Sequence, residues 1–173
     1  MILSYAWAMP NSDTLKIKPI QQLTAKYIGK QSVDPFARSC KLASYTNDLN
    51  PTVGAMYDMS AEDFLSFMLG VGVEIDSALF DPPYSARQVK ECYESVGRQF
   101  LQADSQNCIR WTKEKDLLAE LIIPGGHVVS MGWNSTGMGK SRGFEKVELL
   151  VVNHGSAHND TLVLVERKLN AKT

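Results

Sequence analysis

The chain has 173 residues, 44% hydrophobic and 21% charged, so it can bury one sizeable core and we expect a single domain over residues 1–173. Its formal net charge of -1 gives no overall attraction to phosphate, so any contact with nucleic acid depends on local basic patches. The apolar runs are too short to cross a bilayer, and the chain does not open with a basic-then-apolar signal pattern. We therefore expect a cytoplasmic protein with no membrane partner.

Cysteine and histidine usage argues against a disulfide framework and against a bound metal. The three cysteines, Cys40, Cys92 and Cys108, form no CxxC pair and have no histidine cluster nearby, so we expect reduced thiols. A polar segment late in the chain carries possible ligands without a third at helical spacing, so we expect no metal there either. We interpret that segment as a hairpin loop; its residues are His154, His158, Asn159 and Asp160.

Apolar clusters alternate with helix-like segments along the chain, which is typical of an α/β sheet. A helix is predicted over residues 19–28, with a proline tolerated in its first turn and Gly29 placed to end it. A second helix is predicted over residues 61–69, because Ser60 and Asp63 have capping-box spacing. The strands predicted in this half cover residues 32–34, 45–49 and 74–80.

The second half continues the alternation and ends in a hairpin. Ser85 and Gln88 again have capping-box spacing and predict a helix that reaches about residue 99. A further helix over residues 112–121 ends before the Pro124-Gly125-Gly126 turn, and residues 134–143 are rich in glycine and serine, which indicates a mobile loop. The predicted strands are residues 127–132, then 144–152 paired antiparallel with 161–168.

The sharpest chemical signal is Asp81-Pro82-Pro83-Tyr84, which directly follows a predicted buried strand. Open α/β sheets bind their ligands at this end of their strands. A planar amino group is a poor nucleophile, because its lone pair is delocalised into the ring. Asp81 can accept its hydrogen bonds, Pro82 or Pro83 can present backbone carbonyls, and Tyr84 offers a flat face for stacking a base. The structural alternative is a rigid turn whose aspartate caps the next helix.

With these residues the sequence resembles the DNA amino-methyltransferases, specifically the adenine-N6 type with the DPPY motif, in a compact form without a separate target-recognition domain. The resemblance extends through nearly the whole chain in matching order. It implies a Rossmann-like, seven-stranded class I S-adenosylmethionine-dependent methyltransferase fold with a C-terminal antiparallel hairpin. It also implies that Asp81, Pro82, Pro83 and Tyr84 are catalytic and that S-adenosyl-L-methionine is the cofactor.

The resemblance also implies a set of cofactor-binding residues ahead of the catalytic motif. Asp34-Pro35-Phe36 resembles the opening of the family's Asp-Pro-Phe-x-Gly-x-Gly loop, and Asp48 lies where the family has an acid for the ribose hydroxyls. Lys18-Pro19 resembles the segment before the family's first strand. Asp58-Met59 corresponds to the pair that flanks the cofactor adenine.

Two residues depart from the family's cofactor loop. Arg38 and Cys40 stand where the family has glycines, and either would resist a positive φ or block close backbone approach to the cofactor. We therefore expect a loop of different shape that still binds the cofactor, since Asp34, Asp48 and Asp58 remain at the expected strand ends. The alternative is a degenerate loop that no longer binds it.

The chain is too short to include a separate recognition domain, so recognition must come from loops or from a partner. The expected partner is nucleic acid, in particular DNA, with a homodimer or a partner subunit as a further source of target recognition. Mixed basic and aromatic residues suit phosphate contact and base stacking, although a solvated loop with Trp111 packed on the core is an equal alternative. The candidates are Tyr84, Arg110, Trp111, Lys140 and Arg142, with Arg98 also in the first segment.

Three functions remain open at this point. The leading hypothesis is methylation of adenine N6 in DNA, for which the target base would leave the duplex stack to reach Asp81. A second keeps the fold and changes the acceptor to cytosine N4, guanine N2 of ribosomal RNA, or a glutamine amide. A third is a non-catalytic module that binds nucleic acid or a partner subunit.

Overall fold

The computed structural model describes residues 1–101, 110–155 and 158–170, and these form one seven-stranded sheet with helices on both faces. The strands are β1 (Ile2–Trp7), β2 (Ser32–Asp34), β3 (Tyr45–Thr46), β4 (Ile75–Phe80), β5 (Ile122–Gly132), β6 (Phe144–Asn153) and β7 (Thr161–Lys168). The helices are α1 (Lys18–Tyr27), α2 (Ala61–Val71), α3 (Ala86–Ser95) and α4 (Thr112–Leu121). Cys108 lies outside the described residues.

The strand order across the sheet is β1-β6-β7-β5-β4-β2-β3. β7 runs antiparallel to both β5 and β6, and the other pairings are parallel. The predicted seven-stranded sheet and the predicted C-terminal antiparallel hairpin are therefore confirmed. Six of the seven strands correspond to predicted strands. The strand that was not predicted is β1, which pairs with β6 at the edge of the sheet.

Two apolar layers hold the helices against the sheet. On one face α1 contributes Ile20 and Leu23, which pack with buried residues of β4 to β7. On the other face α2 and α4 contribute Phe64, Leu65 and Leu118, which pack with β2, β4 and β5. Burial of a side chain of this size contributes about 1.5–3 kcal/mol. The packed centre of the sheet thereby fixes the ends of β2 and β4, where the Asp-Pro-Phe segment and the Asp-Pro-Pro-Tyr motif begin.

Several element boundaries differ from the sequence prediction for identifiable reasons. β3 has only two residues, because Asn47 leaves the strand and uses its side chain to bind the carbonyls of Pro35 and Met59. Helix α3 ends at Ser95, and Gly97 turns the chain with φ of 74°. Residues 124–126 lie inside β5 as an irregularity in its pairing with β4, rather than as a turn before it.

The glycine-rich segment 134–143 is held by a buried carboxylate. Glu166 of β7 is fully buried and accepts hydrogen bonds from the amides of Met138 (2.5 Å) and Gly139 (3.1 Å). Gly137, with φ of 58°, passes so close to this carboxylate that a Cβ would collide with it. A short 3-10 turn, Lys140–Arg142, completes the segment, so the stretch predicted to be a mobile loop contains a defined turn anchored to the sheet.

Among the described residues, no helix has both the length and the apolar character needed to cross a bilayer.

Candidate active site

A cleft of about 630 Å³ opens at the carboxyl ends of β2, β3 and β4. Its volume lies in the range of about 300–1,000 Å³ typical of small-molecule sites. Nine of the predicted site residues line it: Pro35, Phe36, Asp48, Asp81, Pro82, Pro83, Tyr84, Arg98 and Trp111. The Asp-Pro-Phe segment and the Asp-Pro-Pro-Tyr motif are far apart in sequence, but both contribute to this cleft because their parallel strands end at the same edge of the sheet.

The motif after β4 closes on itself through a hydrogen bond. The hydroxyl of Tyr84 donates to the Asp81 carboxylate, and it lies 3.4 Å from the Thr14 hydroxyl. The backbone amide of Tyr84 donates to the Gln88 side chain at 2.6 Å, and its ring meets Trp133 edge-on at 5.5 Å. Tyr84 is thus held at both its backbone and its hydroxyl, and its hydroxyl takes up one oxygen of the Asp81 carboxylate.

The environment of Asp81 disfavours its charged form. Burial raises the pKa of the Asp81 carboxyl above its usual value, while hydrogen bonds from Tyr84 and Thr14 act to lower it. Burial together with the charge of Asp81 raises the pKa of Tyr84 well above its usual value, so Tyr84 remains a neutral donor at physiological pH. Raised pKa values of carboxyl groups in clefts are typical of functional sites.

Asp34, at the end of β2, is a second buried carboxyl group behind the cleft. Burial raises its pKa to about 8, against the stabilising hydrogen bond from the Phe36 amide at 3.0 Å. Its other carboxyl oxygen is buried without a hydrogen-bond partner. Asp34 does not itself line the cleft; it shapes the turn that brings Pro35 and Phe36 into the cleft wall.

Asp48 and Arg38 fix the loop that follows β2. The Asp48 carboxylate accepts hydrogen bonds from the backbone amides of Arg38 (2.9 Å) and Asn50 (2.8 Å). Arg38 adopts φ of 50°, so the backbone takes the left-handed conformation that we expected this residue to resist. Its guanidinium donates to the carbonyl of Ser12 and forms part of the cleft lining.

Aromatic rings form the wall between the loop and the motif. Phe36 packs edge-on against Phe80 (5.5 Å between centroids) and against Trp111 (5.0 Å). Trp111 starts α4 from a left-handed backbone conformation with φ of 49°, lines the cleft and is half-buried against the core. The two interpretations of Trp111, cleft residue and core residue, therefore both describe its position.

The other predicted site residues lie outside this cleft lining. Lys18 and Pro19 begin α1, and Asp58 is exposed while Met59 packs against the core. Arg110 is exposed. Lys140 and Arg142 lie in the 3-10 turn after β5, where Arg142 pairs with Asp116 at 2.6 Å.

Ser12, Thr14 and Gln88 also line the cleft, although no sequence pattern marks them as site residues. Ser12 and Thr14 come from the segment after β1, which tertiary structure alone brings to the motif. Gln88 did have a signal, its capping-box spacing with Ser85: the Gln88 amide donates to the Ser85 hydroxyl at 3.3 Å, but its side chain binds Tyr84 instead of returning to Ser85.

Within the described part of the chain, no group of three or more histidine, cysteine or acidic side chains could hold a metal. His154 is instead buried in a structural position, with Nδ1 2.8 Å from the Ala8 carbonyl and Nε2 2.9 Å from the Thr161 hydroxyl. It ties the end of β1 to the beginning of β7.

Neither a protein-family profile nor a curated protein sequence matches this chain, but solved structures do. A Streptococcus mutans protein assigned as a SAM-dependent methyltransferase has a TM-score of 0.59 at 12% identity, over 88% of this chain and 48% of that one. TrmN from Thermus thermophilus has a TM-score of 0.52 at 17% identity, again over 88% and 48%. The chain spans about half the length of these two proteins.

N-methyltransferase NodS from Bradyrhizobium japonicum has a TM-score of 0.54 at 12% identity, over 88% of this chain and 94% of that one. NodS has also been solved in complex with S-adenosyl-L-homocysteine. At identities of 12 to 17% the likeness establishes the fold, which is the Rossmann-like fold of class I methyltransferases.

Proposed function

We propose that this protein transfers a methyl group from S-adenosyl-L-methionine to an exocyclic amino group, the N6 of adenine in DNA. The observation that carries the proposal is the Asp81-Pro82-Pro83-Tyr84 segment at the end of β4, with the Asp81 carboxyl in the wall of a 630 Å³ cleft. The resemblance of this segment to the adenine-specific enzymes supplies the choice of acceptor.

The cleft is suited to the proposed cofactor in size and charge. S-adenosyl-L-methionine supplies an electrophilic methyl group on a positively charged sulfonium. Among the charged residues of the lining, acids outnumber bases, which favours a cationic ligand. The bases are Arg38 and Arg98, and the acids are Asp48, Glu62, Asp81, Glu91 and Glu114. Phe36 offers an aromatic surface, and the Asp48 carboxylate in the cleft lining would accept from the ribose hydroxyls.

Asp81 acts chiefly as a hydrogen-bond acceptor for the amino group. It orients the nitrogen lone pair toward the methyl group and stabilises the positive charge that develops on nitrogen during transfer. A backbone carbonyl of Pro82 or Pro83 can accept the second amino hydrogen. The amino nitrogen loses its proton after the methyl has transferred, so a strongly basic aspartate is unnecessary.

In this structure the Tyr84 hydroxyl is hydrogen-bonded to Asp81, the proposed acceptor of the substrate amino group. The space between Tyr84 and Trp133 is only about 70 Å³, well below the roughly 300–1,000 Å³ of ligand pockets. An incoming base must therefore displace the Tyr84 hydroxyl from Asp81. Once displaced, the Tyr84 ring is available to stack on the base, an interaction of about 1–3 kcal/mol.

The acceptor is tested by incubating the protein with methyl-labelled S-adenosyl-L-methionine and DNA, RNA or a cell lysate, then identifying the labelled nucleoside or amino acid by mass spectrometry. We expect label in N6-methyldeoxyadenosine and none with Asp81→Ala. Label in a different nucleoside or in protein would overturn the choice of acceptor and keep the methyl-transfer chemistry. An absence of label from every substrate, in a protein that still binds the cofactor, would favour the non-catalytic module.

A further inference from the structure

A row of large apolar side chains faces solvent at the edge of the sheet formed by β1. Leu3, Tyr5, Trp7 and Met9 are 51, 68, 67 and 69% exposed. Alternate residues of a strand point to the same face, so Leu3, Tyr5 and Trp7 share one face, and Met9 continues the pattern just after the strand. These four side chains are called the β1 row below.

The polarity of β1 is the reverse of that of an ordinary edge strand. Ala6 and Ala8, on the alternate positions, are the residues that pack against the core on the α1 face of the sheet. An antiparallel or edge strand with one solvated face normally buries its large apolar residues and exposes polar ones. In its second half, β1 turns small, partly buried residues toward the core and exposes large ones, which indicates that its outer face is built for contact.

Within residues 1–101, 110–155 and 158–170, nothing covers the face that carries the β1 row. β5 connects to β6 through residues 133–143, a segment that contains only a 3-10 turn where parallel strands are usually joined by an α-helix. On the same face of β6, Leu149 and Val151 are in register with Leu3 and Tyr5 and are only half-buried. The open surface therefore extends from the β1 row onto the neighbouring strand.

The edge also has none of the usual protection against association. Exposed edges commonly carry lysine, proline or a bulge. β1 contains no charged residue and no proline, and it pairs with β6 in regular register over six residues. A strand of this kind left uncovered is a site of association.

We propose that the β1 row is the interface of a homodimer, in which two copies pack their rows face to face across a two-fold axis. A two-fold interface joins a surface to itself, and an uncharged apolar row is complementary to its own copy. On a scale of about 150–250 Å² for a large side chain, the exposed part of the row amounts to roughly 400–600 Å², against about 800 Å² per partner in a standard interface. Leu149 and Val151 extend the contact toward that value.

The test is the mass of the particle in solution, measured by light scattering over concentrations that bracket about 1 µM, the weak limit for interfaces of this size. We expect the wild type at twice the mass of one chain and the Tyr5→Lys/Trp7→Lys variant at the mass of one chain. Val71→Lys is the matched control, because Val71 is also apolar and 52% exposed but lies on α2; it should remain dimeric. A wild type with the mass of one chain, or a dimeric double variant, would overturn the proposal.

A second measurement guards against a variant that fails to fold. The thermal midpoint of a dimer whose subunits associate only when folded rises with protein concentration. The wild-type midpoint should therefore be higher at high protein concentration than at low concentration. The milder Tyr5→Ser variant should reduce this dependence while keeping the wild-type circular dichroism. A wild-type midpoint that is independent of concentration would contradict the homodimer without recourse to any variant.

Discussion

The two walls of the cleft contribute in different ways. On the β4 wall, the proposed chemistry lies in side chains: Asp81 is the proposed acceptor, and the Tyr84 hydroxyl donates a hydrogen bond to it. On the β2 wall, the shape lies in the backbone: Asp48 binds two amides, and Arg38 takes the left-handed conformation that glycine usually provides. Substitutions on the β4 wall should therefore change the rate of reaction, whereas those on the β2 wall should change binding or stability.

The largest effect is expected at the acceptor on the β4 wall. Asp81→Ala should reduce kcat by at least ~100-fold, the scale of losing one preorganised transition-state contact, while the dissociation constant for S-adenosyl-L-methionine stays within a few-fold. Steady-state kinetics and calorimetry measure the two quantities separately. Wild-type turnover in this variant would refute the assigned role, and loss of cofactor binding would instead place Asp81 in the cofactor pocket.

On the β2 wall, Asp48→Ala should weaken S-adenosyl-L-methionine by roughly 1.5–3 kcal/mol, or about 10- to 150-fold, because it removes a charged acceptor. It also releases the amides of Arg38 and Asn50, so a lower thermal midpoint is expected. Asp160→Ala is the control, since Asp160 is an exposed acid outside the cleft lining. An unchanged dissociation constant in folded Asp48→Ala would remove Asp48 from the cofactor site.

Behind the β2 wall, Asp34 should make stability depend on pH. Its pKa is about 8 in the folded protein and about 3.9 when unfolded, so between these values the folded state holds a proton that the unfolded state has lost. Stability should therefore fall as pH rises through this window, with a limiting slope of about 1.4 kcal/mol per pH unit. Asp34→Asn mimics the protonated acid, so it should reduce the pH dependence of the free energy of unfolding measured with urea. A pH dependence as steep as that of the wild type would exclude Asp34 as its source.

Tyr84→Phe separates the ring of Tyr84 from its hydroxyl. The hydrogen bond from Tyr84 lowers the pKa of Asp81, so its removal should raise that pKa and move the acid limb of kcat/KM to higher pH. Turnover at the optimum should stay within a few-fold of wild type, since the ring still stacks. A pH profile identical to wild type would show that the hydroxyl does not act on Asp81 in the free enzyme.

The smallest effect is expected for Arg38→Gly. Relief of the left-handed conformation of Arg38, worth about 1–2 kcal/mol, is offset by the extra freedom of glycine when unfolded and by the lost contact with Ser12. The free energy of unfolding should change by less than about 1 kcal/mol, with cofactor affinity kept or improved. A loss of tenfold or more, about 1.4 kcal/mol, would mean that the arginine itself contacts the cofactor.

The β4 wall could be predicted from the sequence because its four chemical residues are contiguous and directly follow an apolar strand. The left-handed Arg38 could not be predicted, since its conformation depends on Asp48, ten residues away in sequence. Thr14 reaches the motif from a distance of 70 residues, and no local pattern encodes such a contact.

The same limit applies to the fold. The hairpin of β6 and β7 followed from two long apolar segments, whereas β1 was missed because its burial pattern is the reverse of the expected one. The turn at residues 124–126 became part of β5 because pairing with β4 resumes at His127. In both cases, the strand bounds depend on pairing with a strand distant in sequence: β6 for β1, and β4 for β5.

The central claim is that the cleft binds S-adenosyl-L-methionine, and titration calorimetry of the purified protein tests it most directly. We predict saturable binding at one site per chain, weakened about 10- to 150-fold in Asp48→Ala and within a few-fold of wild type in Asp81→Ala. An absence of binding by the folded wild-type protein would contradict the account, whatever nucleic acid the protein proved to contact.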